Sequence, residues 1–346
     1  MNFASDNAGP AHPAIMQAMV EANTGHAHAY GEDDIMTAVR THVRDLFEAP
    51  EAAVYLVATG TAANSLALAT LAQPWETIFC ARTAHVQEDE ANAPEFFTGG
   101  AKLTLVDAPD GRMTPDALRR AIAAEEGRGV HGPKRGPVTL TETSEKGSTH
   151  GAERLRALSA VAGEYDLPVH LDGARLSNAL VHSGATPADL TWRAGVDVAS
   201  FGGTKNGCPG VEIVILFDPA RAMEFEYRRK RAGHLFSKHR YLSAQALAWL
   251  EGGLWRALAT QANAGAARLA KGLRAKGIEL VYPVEGNLIF FRAPRALHQH
   301  LQGEGAEYYL WDGDLETGET DESLVARLVC DWSVTDDAVD RFLALI

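Results

Sequence analysis

Cysteine is nearly missing from these 346 residues: Cys80, Cys208 and Cys330 stand far apart, with no CxxC and no pairing pattern. That excludes a disulfide framework and fits a reducing, cytoplasmic setting. No metal-ligand pattern is seen. No apolar run approaches the ~20 residues of a membrane span. The opening MNFASDNAGPAHPA lacks the basic and apolar regions of a signal peptide, so no membrane partner is expected. Basic stripes and arginine-rich tails are missing too, and at a net charge of −13 nucleic acid is not an expected partner. Acidity of this size favours solubility without defining a substrate; an anionic ligand would need local arginines. Lysine is also scarce, eight of the 32 basic residues, so a lysine in an unusual setting stands out.

What is present is ordinary for a chain with a sizeable core, 46% hydrophobic and 22% charged, and the length suggests two domains. Residues 1–14 read as an irregular arm. A helix is expected at 14–23, and a second ends at Phe47 with Asp33 or Asp34 as its cap. From there strand and helix alternate. Expected strands are 54–58, 78–81, 102–106, 138–141, 169–172, 196–201 and 211–217, with helices between them, one opening at Thr114-Pro115. The stretch 127–137, rich in Gly, Pro and basic residues, reads as an exposed connection. This alternation implies an α/β fold around a mostly parallel sheet covered on both faces. After Phe217 the pattern changes to a basic helix (221–231), a long helical region (241–277), strand-like runs at 288–291 and 328–334, and a closing helix (336–346). The expected organisation is an arm (1–14), a large domain (15–239) and a smaller α+β domain (240–346).

Three strand ends carry chemistry. Ser200-Phe201-Gly202-Gly203-Thr204-Lys205-Asn206-Gly207 places Lys205 on a glycine-rich turn at the carboxyl end of a buried strand, the edge where open α/β sheets bind ligands. A turn lysine is commonly a solvated charge; one enclosed by apolar strands has its ammonium disfavoured and its amine made nucleophilic. Asp172 ends another buried strand, 33 residues earlier, which leaves room for one helical crossover. Gly60-Thr61 opens a helix, where free N–H groups and a hydroxyl can hold a phosphate or simply cap the helix. Together a lysine, an aspartate and a phosphate site suit pyridoxal phosphate: a Schiff-base lysine, an acid facing the pyridine nitrogen, a helix end for the phosphate. His85, after an earlier strand, can stack on the ring, act as a base, or serve as a hydrogen-bonded structural histidine.

HLDGAR (170–175) and SFGGTKNG (200–207) resemble low-specificity L-threonine aldolases, beta-eliminating lyases of the aspartate-aminotransferase-like fold type I of pyridoxal phosphate enzymes. The resemblance extends through FASDN (3–7), AYGEDD (29–34), ATGTAAN (58–64), TAHVQEDEANAPEFF (83–97) and RLVCDWS (327–333), in shared order over nearly the whole chain. It implies Lys205 as the Schiff-base lysine and Asp172 as the pyridinium partner. Gly60 and Thr61 match the phosphate turn, and His85 the residue on the ring. Arg175 and Arg327 match arginines near the substrate carboxylate, with Ser5 beside them, since a guanidinium fork suits a carboxylate. Arg240 looks like a residue reaching a neighbouring subunit's phosphate, and Tyr30 like one supplied across a dimer, so a homo-oligomer, a tetramer of two dimers, is implied. Many family members carry Thr-His where this chain has Ser144-Glu145, which removes a second histidine as a candidate base. The reaction implied is retro-aldol cleavage of L-threonine, L-allo-threonine and related β-hydroxy-α-amino acids to glycine and an aldehyde, with His85 as base and Glu90 assisting. A phenylserine-type aldolase or a β-eliminating lyase on the same scaffold is the alternative. A non-catalytic binding protein would not need the lysine, the aspartate and both arginines.

Overall fold

The computed structural model describes residues 1–125 and 127–346. Seven strands make the larger sheet: β1 (Ala53–Val57), β2 (Glu76–Ala81), β3 (Lys102–Val106), β4 (Lys134–Thr141), β5 (Val169–Asp172), β6 (Val198–Gly202) and β7 (Glu212–Leu216). Their order is β1-β7-β6-β5-β4-β2-β3. Every pair is parallel except those of β7, which runs antiparallel to both β1 and β6. Strands β2, β5, β6 and β7 are buried along their whole length, the expected result when helices cover both faces. The carboxyl ends of β1, β4, β5 and β6 therefore open on one edge, and the start of β7 joins them through its register, Glu212 opposite both Val57 and Gly202.

A second sheet is antiparallel, in the order β10-β11-β9-β8: β8 (Glu279–Leu280), β9 (Leu288–Pro294), β10 (Tyr309–Leu310) and β11 (Ser323–Val329). It has its own core, built on Leu269, Leu273, Ile289, Phe291, Leu328 and Phe342. Phe3 is buried in that core at 1% exposure, and Val329 donates a backbone hydrogen bond to Phe3 at 2.8 Å. The N-terminal arm is irregular, as expected, but it is a docked part of the second layer.

Several expectations need correcting. The segment 127–137 is not all connection, since β4 begins at Lys134; Gly136 hides the strand because any Cβ there would sit 2.7 Å from the Thr77 carbonyl, where the β2–β4 register shifts. The helical region 241–277 is two helices, Arg240–Leu250 and Leu254–Ala275, separated at Gly252 and Gly253, whose φ angles of +61° and +73° stop a helix. The run 328–334 is the end of β11 followed by a turn, in which Asp331 takes the Ser333 N–H at 2.6 Å. The helix Arg295–Gly303 was not expected at all. Leu242, Trp249, Trp255 and Leu258 pack into the larger core, whereas Ala266, Leu269 and Leu273 pack into the second, so the helix Leu254–Ala275 serves both.

Candidate active site

At the shared edge of the larger sheet lies a cavity of about 400 Å³. Lys205 enters it from the 3-10 turn Thr204–Asn206 just past β6. Gly207, at φ +92°, ends that turn, and a Cβ there would meet Leu258 at 2.8 Å, so the turn closes only on glycine. Nζ of Lys205 makes no hydrogen bond or ion pair among the described residues. Burial pushes its pKa down, and the Arg175 charge adds to that, against the pull of Asp6, Asp172 and Glu212.

Asp172 is the last residue of β5 and is 3% exposed. Its Oδ1 accepts the Ala174 N–H at 3.0 Å and its Oδ2 accepts Nδ2 of Asn64 at 2.9 Å. No cation pairs with it among the described residues, although buried carboxylates ordinarily need one. The turn behind it is tight: a Cβ on Gly173 would lie 2.0 Å from the Ser200 carbonyl, so β5 and β6 can bring Asp172 and Lys205 together only with glycine there.

The helix Gly60–Leu71 starts at the cavity wall, with Thr59 as N-cap accepting the Ala62 N–H at 3.2 Å. The N–H groups of Gly60 and Thr61 precede the first helical acceptors and stay free for an anion. A Cβ on Gly60 would meet nothing within 4 Å, so the floor is open there. His85 begins a short helix, His85–Glu88, and its Nδ1 contacts Oε1 of buried Glu90 at 2.8 Å. That hydrogen bond raises the imidazole pKa.

Arg175 lines the cavity too, but Nε and Nη2 are held bidentately by buried Asp6, at 2.7 and 2.9 Å. Burial works to raise the Asp6 carboxyl, and the Arg175 guanidinium, Lys205 and Asn287 together outweigh it and hold the pKa down. Nη1 of Arg175 is left without a partner among the described residues. Arg327 sits beside the arm: Nη2 reaches the Ala4 carbonyl at 3.4 Å, and Nε is buried and unpartnered. Ser5 is in the same arm, accepting the Asn7 N–H at 3.1 Å.

Lys205, Asp172, Gly60, Thr61, His85 and Arg175 thus share one cavity, with Glu90 behind His85 and with Ser5 and Arg327 in the segments joined to Asp6 and Arg175. Tyr30 and Arg240 are not brought there within one chain. Tyr30 is exposed under Lys230, at 4.9 Å from Nζ to the ring, and Arg240 binds the Thr24 and Gly25 carbonyls. Sequence reasoning assigned no role to Asn64, whose Nδ2 binds both Glu90 at 2.8 Å and Asp172 at 2.9 Å. An amide in the otherwise small and apolar AANSLALA run was its signal. Asp6, Glu145 and Glu212 were also missed as site residues. Burial pushes the Glu212 carboxyl up to about 7. It lies at the start of an unbroken apolar strand, where period alone cannot separate a strand-opening carboxylate from a site residue.

A doubly covered, mostly parallel sheet with a lysine and an unpaired aspartate at one edge defines the aspartate-aminotransferase-like class, fold type I. The chain belongs to the beta-eliminating lyase family, whose model matches residues 2–294. It is 42% identical over 344 residues to a low specificity L-threonine aldolase of Pseudomonas sp. (strain NCIMB 10558), covering 99% of this chain and 95% of that one. With the enzyme of the same name from Pseudomonas aeruginosa it shares 40% over 338 residues, covering 97% and 94%. Its structure superposes on Leishmania major threonine aldolase with a TM-score of 0.91 at 26% identity, covering 99% and 98% of the two chains.

Proposed function

We propose that this protein is a pyridoxal phosphate-dependent aldolase that cleaves L-threonine, L-allo-threonine and related L-β-hydroxy-α-amino acids to glycine and an aldehyde. The observation that carries the reading is an unpartnered lysine and a buried, cation-free aspartate in one cavity with a helix N-terminus. Those residues fit the cofactor. Lys205 would tether it, Asp172 would face its ring nitrogen as the missing positive partner, Gly60 and Thr61 would hold its phosphate, and His85 would lie against its ring. When bound, pyridoxal phosphate supplies an electron-accepting ring for the pair released at the α-carbon.

The chain's own residues do the rest. Asn64 fixes the Asp172 carboxylate and ties it to Glu90. The free Nη1 of Arg175 and the free Nε of Arg327 are the donors left for a substrate carboxylate. Asp6 keeps Arg175 in one orientation, so the carboxylate is fixed by a preset fork. His85, held at Nδ1 by Glu90, offers its other ring nitrogen to the substrate β-hydroxyl as general base.

We further assign it to the cytoplasm as a homo-oligomer, a tetramer of two dimers. The buried free cysteines suit a reducing compartment, and Tyr30 and Arg240 lie where a second subunit could use them. Among the described residues no helix is long and apolar enough to cross a membrane.

The test is a visible absorbance spectrum of protein soaked with pyridoxal phosphate, with borohydride trapping and peptide mapping, in the parent and K205A. Label at residue 205 in the parent alone, with acetaldehyde and glycine formed from L-threonine, is the expected result. 2-Oxobutanoate and ammonia from L-threonine, or cleavage of phenylserine alone, would replace the stated substrate class. No label would end the reading.

A further inference from the structure

We propose that Glu145 is an acid–base residue of this site, whose free carboxyl oxygen gives a proton to the α-carbon once the aldehyde has left. The inference rests on the aldolase reading above. Glu145 lies in the turn just beyond β4 and projects into the cavity that holds Lys205, Asp172 and His85. One of its oxygens, Oε1, accepts the His85 backbone N–H at 2.7 Å. The other, Oε2, is buried and has no hydrogen-bond partner. A carboxyl oxygen left bare in a polar cavity is costly unless the cavity's ligand completes it.

The groups around it favour a proton there. Burial pushes Glu145 up, and the negative Asp172 on β5 adds to this, while its own backbone N–H, the His85 N–H and the Thr141 hydroxyl work the other way, with the net shift upward. Cys80 on β2 and Arg175 in the turn after β5 also feel its charge, and Glu145 forms no ion pair among the described residues. His85 is committed to Glu90 through Nδ1, so two proton carriers stand side by side: an imidazole backed by Glu90, and a carboxyl anchored by the His85 backbone N–H.

The step balances. The β-hydroxyl O–H bond breaks and its proton goes to His85. The Cα–Cβ bond breaks and the aldehyde C=O forms, with the bonding pair left on the α-carbon side. Glu145 supplies the proton for the new C–H bond of glycine, and the proton on His85 returns to Glu145 through solvent. No oxidant or reductant is needed.

A purely structural Glu145, placing His85 and nothing more, predicts something different, and glycine separates the two. Exchange of glycine α-protons for deuterium needs proton transfer at the α-carbon but no β-hydroxyl and no bond cleavage. Proton NMR in deuterium oxide would follow that exchange beside L-threonine cleavage in the cofactor-loaded parent, E145Q and E145D. Infrared spectra of the same proteins without cofactor would report a protonated carboxyl. We expect E145Q to lose one protonated-carboxyl band and to slow glycine exchange by about 10²–10⁴-fold, the usual contribution of a general acid or base. E145D, whose shorter acid draws the free oxygen back, should exchange at least about tenfold more slowly than the parent while keeping its melting transition; it serves as the readout if E145Q does not fold. Exchange at the parent rate in a folded variant, or a parent spectrum without that band, overturns the assignment. A parent that exchanges glycine but cleaves no β-hydroxy amino acid sinks the aldolase reading instead.

Discussion

Glu90 shows how one hidden residue sets another's chemistry. It is buried, it holds Nδ1 of His85, and that contact is the largest influence raising the imidazole pKa. A general base works only when neutral, so cleavage should rise with pH through the His85 pKa. Replacing Glu90 by Gln removes the anion and leaves an uncharged partner. The His85 pKa then falls, and the acid limb of the kcat/KM profile should move to lower pH, with a loss of about 10–100-fold at its plateau from poorer orientation of the ring. An acid limb that stays in place would show that His85 does not report the base. The pairing was half legible: the resemblance implied Glu90 as assisting His85, but that it is Glu90 whose carboxylate turns inward to Nδ1 depends on the short helix that starts at His85. Asn64 and Asp6 were less legible still. Each acts through a partner more than 100 positions away, 108 for Asn64 with Asp172 and 169 for Asp6 with Arg175, which no local pattern encodes.

Most elements with a strong period were read correctly and those defined by a single turn were not; the amphipathic helix Arg295–Gly303 was missed despite its period. Strands β3 and β5 and the caps at Asp33 and Thr114 follow from alternation and side-chain capping. The break at Gly252-Gly253 and the two-residue strands β8 and β10 carry no period to detect. The turn after β4 is a similar case, and it joins the two layers. Lys146, 7% exposed, puts Nζ 4.4 Å from the Trp311 ring centroid and 5.1 Å from that of Tyr282, with no carboxylate paired to it among the described residues. On the same ring lies Arg327, at 5.8 Å. A desolvated cation over aromatic rings contributes about 2 kcal/mol. K146M keeps the stem but not the charge and should lose about 1–2 kcal/mol in urea unfolding. K146R should recover part of that loss, and W311L should cost less in the K146M background than alone. Additive losses from the two changes would mean that the ring and the ammonium are merely neighbours.

At the scale of the molecule, the cavity is assembled by one sheet edge, but Tyr30 and Arg240 do not line it. Tyr30 is 45% exposed at a left-handed backbone position, φ +61°, and Arg240 caps the carbonyls of Thr24 and Gly25. A left-handed, exposed aromatic is strained and solvated at once, which is hard to account for in a monomer and simple if another copy covers it. If Arg240 completes the cavity of a neighbouring subunit, its loss and the loss of Lys205 damage different halves of a shared site. K205A and R240A should each be inactive or nearly so when pure. Mixed dimers of the two then contain one site with both defects and one site with neither. After co-expression and random pairing, half of the dimers are mixed and each has one intact site of two, so about a quarter of parent activity should return. Differently tagged subunits, purified through both tags, would raise that to about half. Doubly tagged dimers that form but stay inactive would place Arg240 outside the catalytic cavity. The exposed Tyr30 and the carbonyl-capping Arg240 would then belong to the loop of their own chain alone.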